Sequence, residues 1–158
     1  MQFDGIYTPL VTPHNQDFSF NKKELLGVID FLIEAGVQGL IVAGTTGEYY
    51  AQSTQERLEL METVKKYIAE RVPLIVGTGA IRTEDSMIYA QAARDIGADA
   101  ILVATPPYAY PTDREIALHC LAVDRVANLP VMLYNYPGRM SVNMGEECLE
   151  RLGRCPNF

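Results

Sequence analysis

The amino-acid sequence predicts an α/β fold, a (β/α)8 TIM barrel of which this chain would supply about the first five strand–helix units. Five short apolar runs recur, and counted from Ile6 their starts lie 34, 34, 27 and 30 residues apart, each about one βαβ unit. Polar segments follow several runs, as in barrels whose chemistry gathers at the carboxyl ends of the strands. Since a complete barrel needs roughly 250 residues, the 158 residues are expected to form one truncated domain, 1–158, that stops before the sixth strand.

The first two units are marked at both strand and helix level. The run GIYTPLV from Gly5 is predicted as the first strand, and LIVA from Leu40 as the second. NKKE from Asn21 and STQE from Ser53 each place a capping residue three positions before a glutamate, so both are predicted to begin helices. Gly36 is expected to end the first helix, because glycine tolerates the left-handed backbone found there.

The remaining units follow the same pattern. LIVG from Leu74, ILVA from Ile101 and VMLY from Val131 are predicted as strands three to five. Gly97 would end the third helix, and TDRE from Thr112 carries the capping signal that begins the fourth. The weaker segment MGEECLERLG at 144–153 is predicted as a fifth helix.

The five runs are too short and too rich in β-branched residues for core helices, so they are expected to pair as buried parallel strands. An open doubly wound sheet is the alternative architecture, and a dinucleotide-binding fold of that kind would show G-x-G-x-x-G after its first strand. Here that strand runs into TPLVTPHNQD, which has no glycine to admit a pyrophosphate, so the barrel is favoured. The side chains expected to point into the barrel are those of Val11, Val42, Val76, Val103 and Leu133.

Composition narrows the class of partner. Lys and Arg number 13 against 20 Asp and Glu, and the net charge of −7 argues against nucleic acid or anionic membranes, both of which attract basic patches. No run approaches the roughly 18 apolar residues of a membrane span, so a cytoplasmic protein is predicted. Cys120, Cys148 and Cys155 lack C-x-x-C spacing, which indicates reduced thiols. We expect no metal site and no cofactor.

Two glycines enclose two threonines in AGTTGEYY at 43–50, where the second strand ends. Gly44 and Gly47 would let the backbone turn tightly, while the hydroxyls of Thr45 and Thr46 could donate to a carboxylate or relay a proton. The four residues are therefore candidates for a substrate-binding turn, although an ordinary capped turn fits this string alone equally well. Glu48 is expected to be buried and hydrogen-bonded rather than to act as a base.

Two further segments follow strands four and five. In YNYPGRM at 134–140, Tyr134 stands at a strand tip, where its phenol could point into the barrel mouth, and Arg139 lies in the next loop, free to pair with a carboxylate. In TPPYAYP at 105–111, prolines constrain Tyr108 and Tyr110. A loop of this kind is more typical of a packing or subunit-contact surface than of a catalytic one.

The segments GTTGE, GTGA, TPPY and YNYPGR, in this order and at strand ends, resemble the dihydrodipicolinate synthase/N-acetylneuraminate lyase family of class I pyruvate-dependent aldolases. Each string alone is weak, but the combined order and spacing are specific, and the resemblance extends from Gly5 to Phe158. It implies a (β/α)8 barrel, usually a homotetramer built from tight dimers. It also implies pyruvate and an aldehyde as small-molecule substrates, with a Schiff base between pyruvate and a lysine on strand six.

The resemblance also implies residue roles. Carried over by position, the family's proton relay falls on Thr45, Tyr134 and Tyr108, the last reaching the site of a neighbouring subunit. Thr46 matches the threonine that holds the pyruvate carboxylate. Arg139 matches the arginine that in the synthases binds the carboxylate of the aldehyde.

Departures from the family pattern keep alternatives open. Met140 stands where the synthases commonly have threonine, and the family's Schiff-base lysine would lie beyond Phe158. The activity implied first is that of a 4-hydroxy-tetrahydrodipicolinate synthase acting on pyruvate and aspartate semialdehyde. The alternatives are a sugar-acid aldolase or dehydratase, which Met140 would favour, and a non-catalytic 2-oxo acid binding protein. The 158-residue segment alone is predicted to be inactive. In feedback-inhibited synthases, certain positions bind the inhibitor lysine through histidines or asparagine. Here those positions are occupied by Tyr49, Thr54, Arg57 and Ile81 instead.

Overall fold

A computed structural model of the chain describes residues 3–158. Its five strands form one parallel sheet in the order β1-β2-β3-β4-β5. A doubly wound sheet reverses its strand order at a switch point, whereas strands that follow one another in sequence order build a barrel wall. The chain is therefore a curled part of a (β/α)8 barrel, as predicted. The strands are Tyr7–Pro9 (β1), Gly39–Val42 (β2), Leu74–Gly77 (β3), Ala100–Ala104 (β4) and Val131–Tyr134 (β5).

The helices alternate with the strands. Their bounds are Lys22–Glu34 (α1), Thr54–Ile68 (α2), Thr83–Asp95 (α3), Asp113–Ala127 (α4), Pro137–Met140 (α5) and Glu146–Leu152 (α6). Helix α6 is the predicted fifth helix, and the short α5 lies where the sequence predicted a loop. Two 3-10 turns, Thr45–Gly47 and Tyr49–Ala51, follow β2. Within residues 3–158, every helix is too short or too polar to cross a membrane.

The predicted helix ends are largely confirmed. Ser53 and Thr112 form complete capping boxes, in which the hydroxyl accepts an amide proton and the glutamate three residues later accepts one in return. At Asn21 half of the box is present, the amide of Glu24 donating to the Asn21 side chain. Gly36 and Gly97 follow α1 and α3 with φ of +88° and +76°, the left-handed backbone expected of them.

The orientation predicted for the strand side chains is wrong. Val42, Val76, Val103 and Leu133 pack against the helices in the larger apolar cluster, and the exposed Val11 lies beyond β1. A separate, smaller cluster occupies the barrel-interior face of the sheet, formed by Ile41, Ile75 and Ala100 with Tyr7, Leu102 and Met132. A slip of one residue exchanges the two faces of a strand, and a run that is apolar on both faces has no alternation from which to read them.

Strands β1 and β5 are the two edges of the sheet. At β5, the amide of Val131 donates to the carbonyl of Asn157 at 2.7 Å, and the Asn157 side chain donates to Asp124. The same donor geometry joins Leu40 to Pro73 and Ile101 to Pro130, each acceptor lying one residue before a strand. The last residues of the chain are thus held beside the free edge of β5.

Candidate active site

Segments that follow parallel strands meet at one edge of a sheet, and here the loops after β2, β4 and β5 share the carboxyl edge. Tyr49, in the turn after β2, shows that two of them lie close together. Burial raises the pKa of Tyr49, and the fields of Arg57, Tyr134 and Arg139 also act on it. The loop after β2 is therefore within electrostatic range of the strand tip and loop of β5, at the edge where the sequence predicted a site.

In the threonine turn, Gly47 is required for space rather than for backbone freedom, whereas Gly44 would leave room for a side chain. Gly47 is buried, and a Cβ there would lie 2.9 Å from the carbonyl oxygen of Leu10. The Gly47 carbonyl accepts hydrogen bonds from Thr12 Oγ1 at 2.8 Å and Gln52 Nε2 at 2.9 Å, so two segments hold the turn. The left-handed residues are instead Ala43 (φ +55°) and Glu48 (φ +57°).

The two threonines of this turn differ in exposure. Thr45 is half-buried and begins the 3-10 turn, while Thr46 is exposed to solvent. Gly44, directly before them, is buried in extended backbone with φ of −84° and ψ of −178°. Both hydroxyls thus sit at the carboxyl end of β2 on a turn whose backbone has little freedom to move.

Glu48 was expected to be buried and hydrogen-bonded, and this expectation is wrong. Its left-handed backbone turns it outward, so that it is exposed and lines a cleft of about 310 Å³. The other sides of the cleft come from the loop after β1, including His14 and Phe20, and from the first turn of α2 at Glu56.

The loop after β5 holds a tyrosine pair and an arginine. Tyr134 is half-buried, and its ring centroid lies 6.1 Å from that of Tyr136. Arg139 is exposed on α5, with its Cζ 5.9 Å from the Tyr136 ring. The Asn135 side chain donates to Asn143 Oδ1 at 2.8 Å and accepts the amide of Met144 at 3.2 Å, which closes residues 136–143 into a compact loop.

Tyr108 stands apart from the other candidate catalytic residues. It is 86% exposed with φ of +72°, and Tyr110 is 67% exposed with φ of +49°. A left-handed backbone costs such residues on the order of 1–3 kcal/mol each, so the loop holds both aromatic side chains outward against a local preference. In the part of the chain that the structure describes, no hydrogen bond joins Tyr108, Thr45 and Tyr134 to one another.

The buried guanidinium of Arg57 is a site feature that the sequence reasoning missed. Arg57 is 2% exposed and donates to the carbonyls of Gly79 at 2.7 Å and Gly77 at 2.5 Å. Its Cζ lies 4.8 Å from the Tyr49 ring and 3.9 Å from the Tyr89 ring. Burial lowers the pKa of Arg57 to about 10. The missed signal was helical spacing, since Arg57 shares a face of α2 with the buried Leu60, Met61, Val64 and Ile68.

In the described part of the chain, the histidine on α4 and the cysteines show no reactive arrangement. His119 is buried, its Nδ1 lies 2.9 Å from Thr83 Oγ1, and desolvation lowers its pKa to about 4. Cys120, Cys148 and Cys155 are all free thiols, and burial raises the pKa of Cys120 to about 12, which keeps it protonated. Over residues 3–158, no three His, Cys, Asp or Glu side chains come together as a metal site would require.

All four lysines of the sequence lie on helices. Lys22 and Lys23 are exposed on α1, while Lys65 and Lys66 are on α2. Lys65 lies 2.8 Å from Glu70, and Lys66 lies 3.1 Å from Glu62. The Lys66 pair is an ordinary helix-surface ion pair, whereas the Lys65 side chain is only 13% exposed.

The family model of the dihydrodipicolinate synthetase family matches residues 2–158. Among similar sequences, a 4-hydroxy-tetrahydrodipicolinate synthase from Neisseria gonorrhoeae is 42% identical over 154 residues, which are 98% of this chain and 53% of that protein. The chain spans about half the length of the curated relatives it matches.

Two solved structures show how closely the fold is shared. The chloride-inhibited dihydrodipicolinate synthase of Acinetobacter baumannii, in complex with pyruvate, aligns with a TM-score of 0.93 and 34% identity, over 98% of this chain and 53% of that one. CdNal from Clostridium difficile, in complex with mannosamine, aligns with a TM-score of 0.96 and 26% identity, over 100% of this chain and 55% of that one. Since the family model covers the chain from residue 2 to its last residue, the chain belongs to the dihydrodipicolinate synthetase family.

Proposed function

We propose that these five strand–helix units belong to a pyruvate-dependent aldolase-type lyase or synthase that works through a lysine Schiff base. The activity proposed first is that of 4-hydroxy-tetrahydrodipicolinate synthase, with pyruvate and aspartate semialdehyde as substrates. The observation that carries the proposal is the convergence of the threonine turn with Tyr134 and Arg139 at the carboxyl edge of the sheet. The name of the 42% identical Neisseria gonorrhoeae protein supports the same reaction.

The proposed chemistry needs protons to be moved. A lysine amine adds to the C2 carbonyl of pyruvate to give a carbinolamine. The hydroxyl of this carbinolamine must gain a proton before it can leave as water and the imine can form. Thr45 and Tyr134 are proposed to carry that proton, since hydroxyls both donate and accept. Tyr108 is proposed to complete the relay in the site of a neighbouring subunit, a role that its outward position permits.

Substrate carboxylates are assigned to two residues. Thr46, with the turn formed by Gly44 and Gly47, is proposed to hold the carboxylate of pyruvate, and Arg139 to hold that of the aldehyde. Arg139 suits this role because it is exposed at the same edge and free to form a charge-assisted pair. The lysine nucleophile is proposed to come from outside residues 1–158, because all four lysines of the chain lie on α1 and α2.

A sugar-acid aldolase or dehydratase is the second candidate, supported by the similarity to the mannosamine-bound CdNal. The departure at Met140 supports it less than the sequence suggested. Met140 is only 3% exposed and packs inward from α5, so it does not stand beside Arg139 at the open edge. We therefore retain the synthase as the first proposal, and a 2-oxo acid binding protein without turnover as the third.

Assembly and location are proposed with the activity. The exposed aromatic loop with Tyr108 and Tyr110 is proposed to contact a neighbouring subunit in a homodimer or homotetramer. A cytoplasmic location and a reaction without metal or cofactor are proposed as well, since Schiff-base chemistry needs only the lysine and proton donors.

Borohydride trapping tests the proposed function. Reduction fixes the imine, so the full-length protein treated with pyruvate and borohydride is expected to gain the mass of pyruvate less one oxygen atom. Mass spectrometry of the intact protein measures this gain, and borohydride without pyruvate is the control. An unchanged mass in the presence of pyruvate would exclude the aldolase and leave the binding protein.

A further inference from the structure

Arg57 is a buried cation whose position calls for a reason. It is 2% exposed, and within residues 3–158 its guanidinium forms no ion pair. Burying a charge without a counter-charge is costly, so the surrounding dipoles must replace the water that the guanidinium has lost. The groups that supply these dipoles are therefore the parts of the structure that Arg57 holds in place.

Those groups are backbone carbonyls at the ends of two strands. Gly77 is the last residue of β3 and Gly79 follows two residues later, and their carbonyls accept at 2.5 and 2.7 Å. The carbonyl of Ala43, directly after β2, accepts at 3.4 Å. One planar guanidinium thus links the carboxyl ends of β2 and β3. A lysine ammonium, a compact charge on a flexible chain, would bind several carbonyls less well.

Around these carbonyls, the backbones of β2 and β3 approach each other closely. A Cβ at Gly77 would collide with the carbonyl of Ala43, so only glycine lets β3 pass at this distance. Ala43 itself carries a left-handed φ of +55°, which a non-glycine residue adopts only when its surroundings fix it. Ala43 and Gly44 lead directly into Thr45, so the guanidinium acts on the backbone that presents the threonines.

The two aromatic rings extend the contact toward the site. Tyr89 on α3 lies on one side of the guanidinium at 3.9 Å, and Tyr49 lies at 4.8 Å in the turn after Glu48. The charges of Tyr134 and Arg139 also act on Tyr49, so the ring that contacts Arg57 is within electrostatic range of the tip of β5. Cation–π contacts of this kind stabilise both the ring and the cation.

We propose that Arg57 is a positioning residue, which holds Ala43 and Tyr49 so that the Thr45 hydroxyl and the Tyr134 phenol can come within proton-transfer distance when substrate is bound. The inference rests on the proposed function of these two groups. Proton transfer between hydroxyls requires heavy atoms about 2.6–3.2 Å apart. A misplacement of about 1 Å from a distant change can cost about 100-fold in rate.

The test compares two substitutions at Arg57 with one at Arg71 in the full-length protein. Arg57→Met keeps the length of the side chain but removes the charge and all donors, and Arg57→Lys restores a charge with fewer donors. Arg71→Met is the matched control, because Arg71 also lies over a tyrosine ring, at 4.9 Å from Tyr67, and pairs with Asp30 away from the loops after β2 and β5.

For Arg57→Met we expect kcat to fall about 10- to 100-fold, with the KM for pyruvate and the borohydride-trapped mass retained. Arg57→Lys is expected to recover part of kcat, and Arg71→Met to leave kcat unchanged. A merely structural role would not separate kcat from KM in this way, nor would it distinguish the two arginines.

Two results would overturn the inference. One is a kcat for folded Arg57→Met equal to that of the wild type, and the other is an equal loss of kcat in Arg71→Met. If Arg57→Met does not fold, Arg57→Lys decides, because a wild-type kcat in that variant also rejects the role. An unmodified parent protein that traps no pyruvate would instead reject the proposed function, and with it any proton relay for Arg57 to position.

Discussion

Tyr134 lies outside the main apolar cluster, at the end of β5. Its ring is half-buried at the end of β5, in contact range of Tyr136 and within the electrostatic reach of Tyr49. The helix-facing residues of the same strand, Val131 and Leu133, join the main apolar cluster, while Tyr134 points to the other face. The phenol can therefore be altered without opening a cavity in that cluster.

Replacement of Tyr134 by Phe in the full-length protein is expected to lower kcat by about 10²- to 10⁴-fold, the usual loss for an acid–base group. The melting temperature should change little, because the ring and its packing remain. Steady-state kinetics and thermal unfolding of the same preparation measure the two effects. If stability fell in proportion to activity, Tyr134 would be a core residue instead.

Arg139 reports on the second substrate. Arg139→Ala is expected to lower kcat/KM for aspartate semialdehyde by about 10- to 150-fold, because a charge-assisted hydrogen bond contributes about 1.5–3 kcal/mol. The KM for pyruvate should be preserved, since another residue is assigned to that carboxylate. Kinetics with each substrate varied in turn separate the two. Identical constants in the variant, or a wild-type protein that ignores this aldehyde, would favour the sugar-acid reaction.

At the scale of helices and strands, the sequence predicted which elements are present better than it predicted which face of each strand is turned to the helices. Capping signals at Ser53 and Thr112 are local, so they could be read from four residues. The face of each strand could not be read, because LIV and ILV are apolar throughout and show no alternation. Arg57 was missed for a related reason. The spacing in α2 could have placed Arg57 on the buried face, but its partners are two tyrosines and three carbonyls from other elements, which α2 itself does not contain.

A cluster of Asp30, Tyr67 and Arg71 links α1 to the end of α2, and it makes their packing sensitive to pH. The hydroxyl of Tyr67 donates to Asp30, Arg71 donates at 2.8 Å, and both lower the pKa of the Asp30 carboxyl. A carboxyl whose pKa is lower in the folded protein stabilises the fold above its unfolded pKa of about 3.9. This contribution is lost as the pH falls through the folded value.

Asp30→Asn in the full-length protein should therefore lower the melting temperature at pH 7, and its difference from the wild type should shrink as the pH falls below about 4. Thermal unfolding at a series of pH values measures this convergence. Glu62→Gln is the control, because it removes only an exposed pair with Lys66 and should have little effect at any pH. A difference that stayed constant down to acid pH would show that Asp30 acts through packing alone.

At the scale of the whole molecule, the order of the strands and the family were predictable, while the geometry of the site was only partly so. Turn strings such as GTTGE and YNYPGR follow the strands, so topology alone brings them to one edge. The outward turn of Glu48 and the short helix at Pro137–Met140 depend on backbone angles that neighbouring elements impose. Such angles are set by tertiary contacts, which the order of residues does not state directly.

The sheet leaves an apolar inner face and two edges, which predicts how the 158 residues behave on their own. Tyr7, Leu102 and Met132 are only partly buried on that face, and β1 and β5 are edge strands, of which β5 is covered only where Val131 pairs with Asn157. The isolated segment is expected to be catalytically inert and to aggregate, to bind a hydrophobic dye or to pair with a second copy. Dye fluorescence, light scattering and pyruvate trapping on this segment measure these properties.

Met132→Lys should weaken dye binding by the isolated segment, since it places a charge on the inner face. Leu118→Lys on α4, where the residue is already 57% exposed, is the matched control and should leave it unchanged. A monomer that unfolds cooperatively and binds no dye would mean that the five units form a self-sufficient open sheet. Trapping of pyruvate on the segment would assign the nucleophile to one of its four helix lysines.

Because Tyr108 is so exposed, its modification can report on whether the loop is covered by another subunit. Of the nine tyrosines of this chain, Tyr108 is the most exposed at 86%. A reagent that nitrates accessible phenols will therefore reach it first in an isolated chain, and a subunit that covers the loop will shield it. Peptide mapping of the nitrated tyrosines would then follow subunit association over time, without a fluorophore or an engineered cysteine.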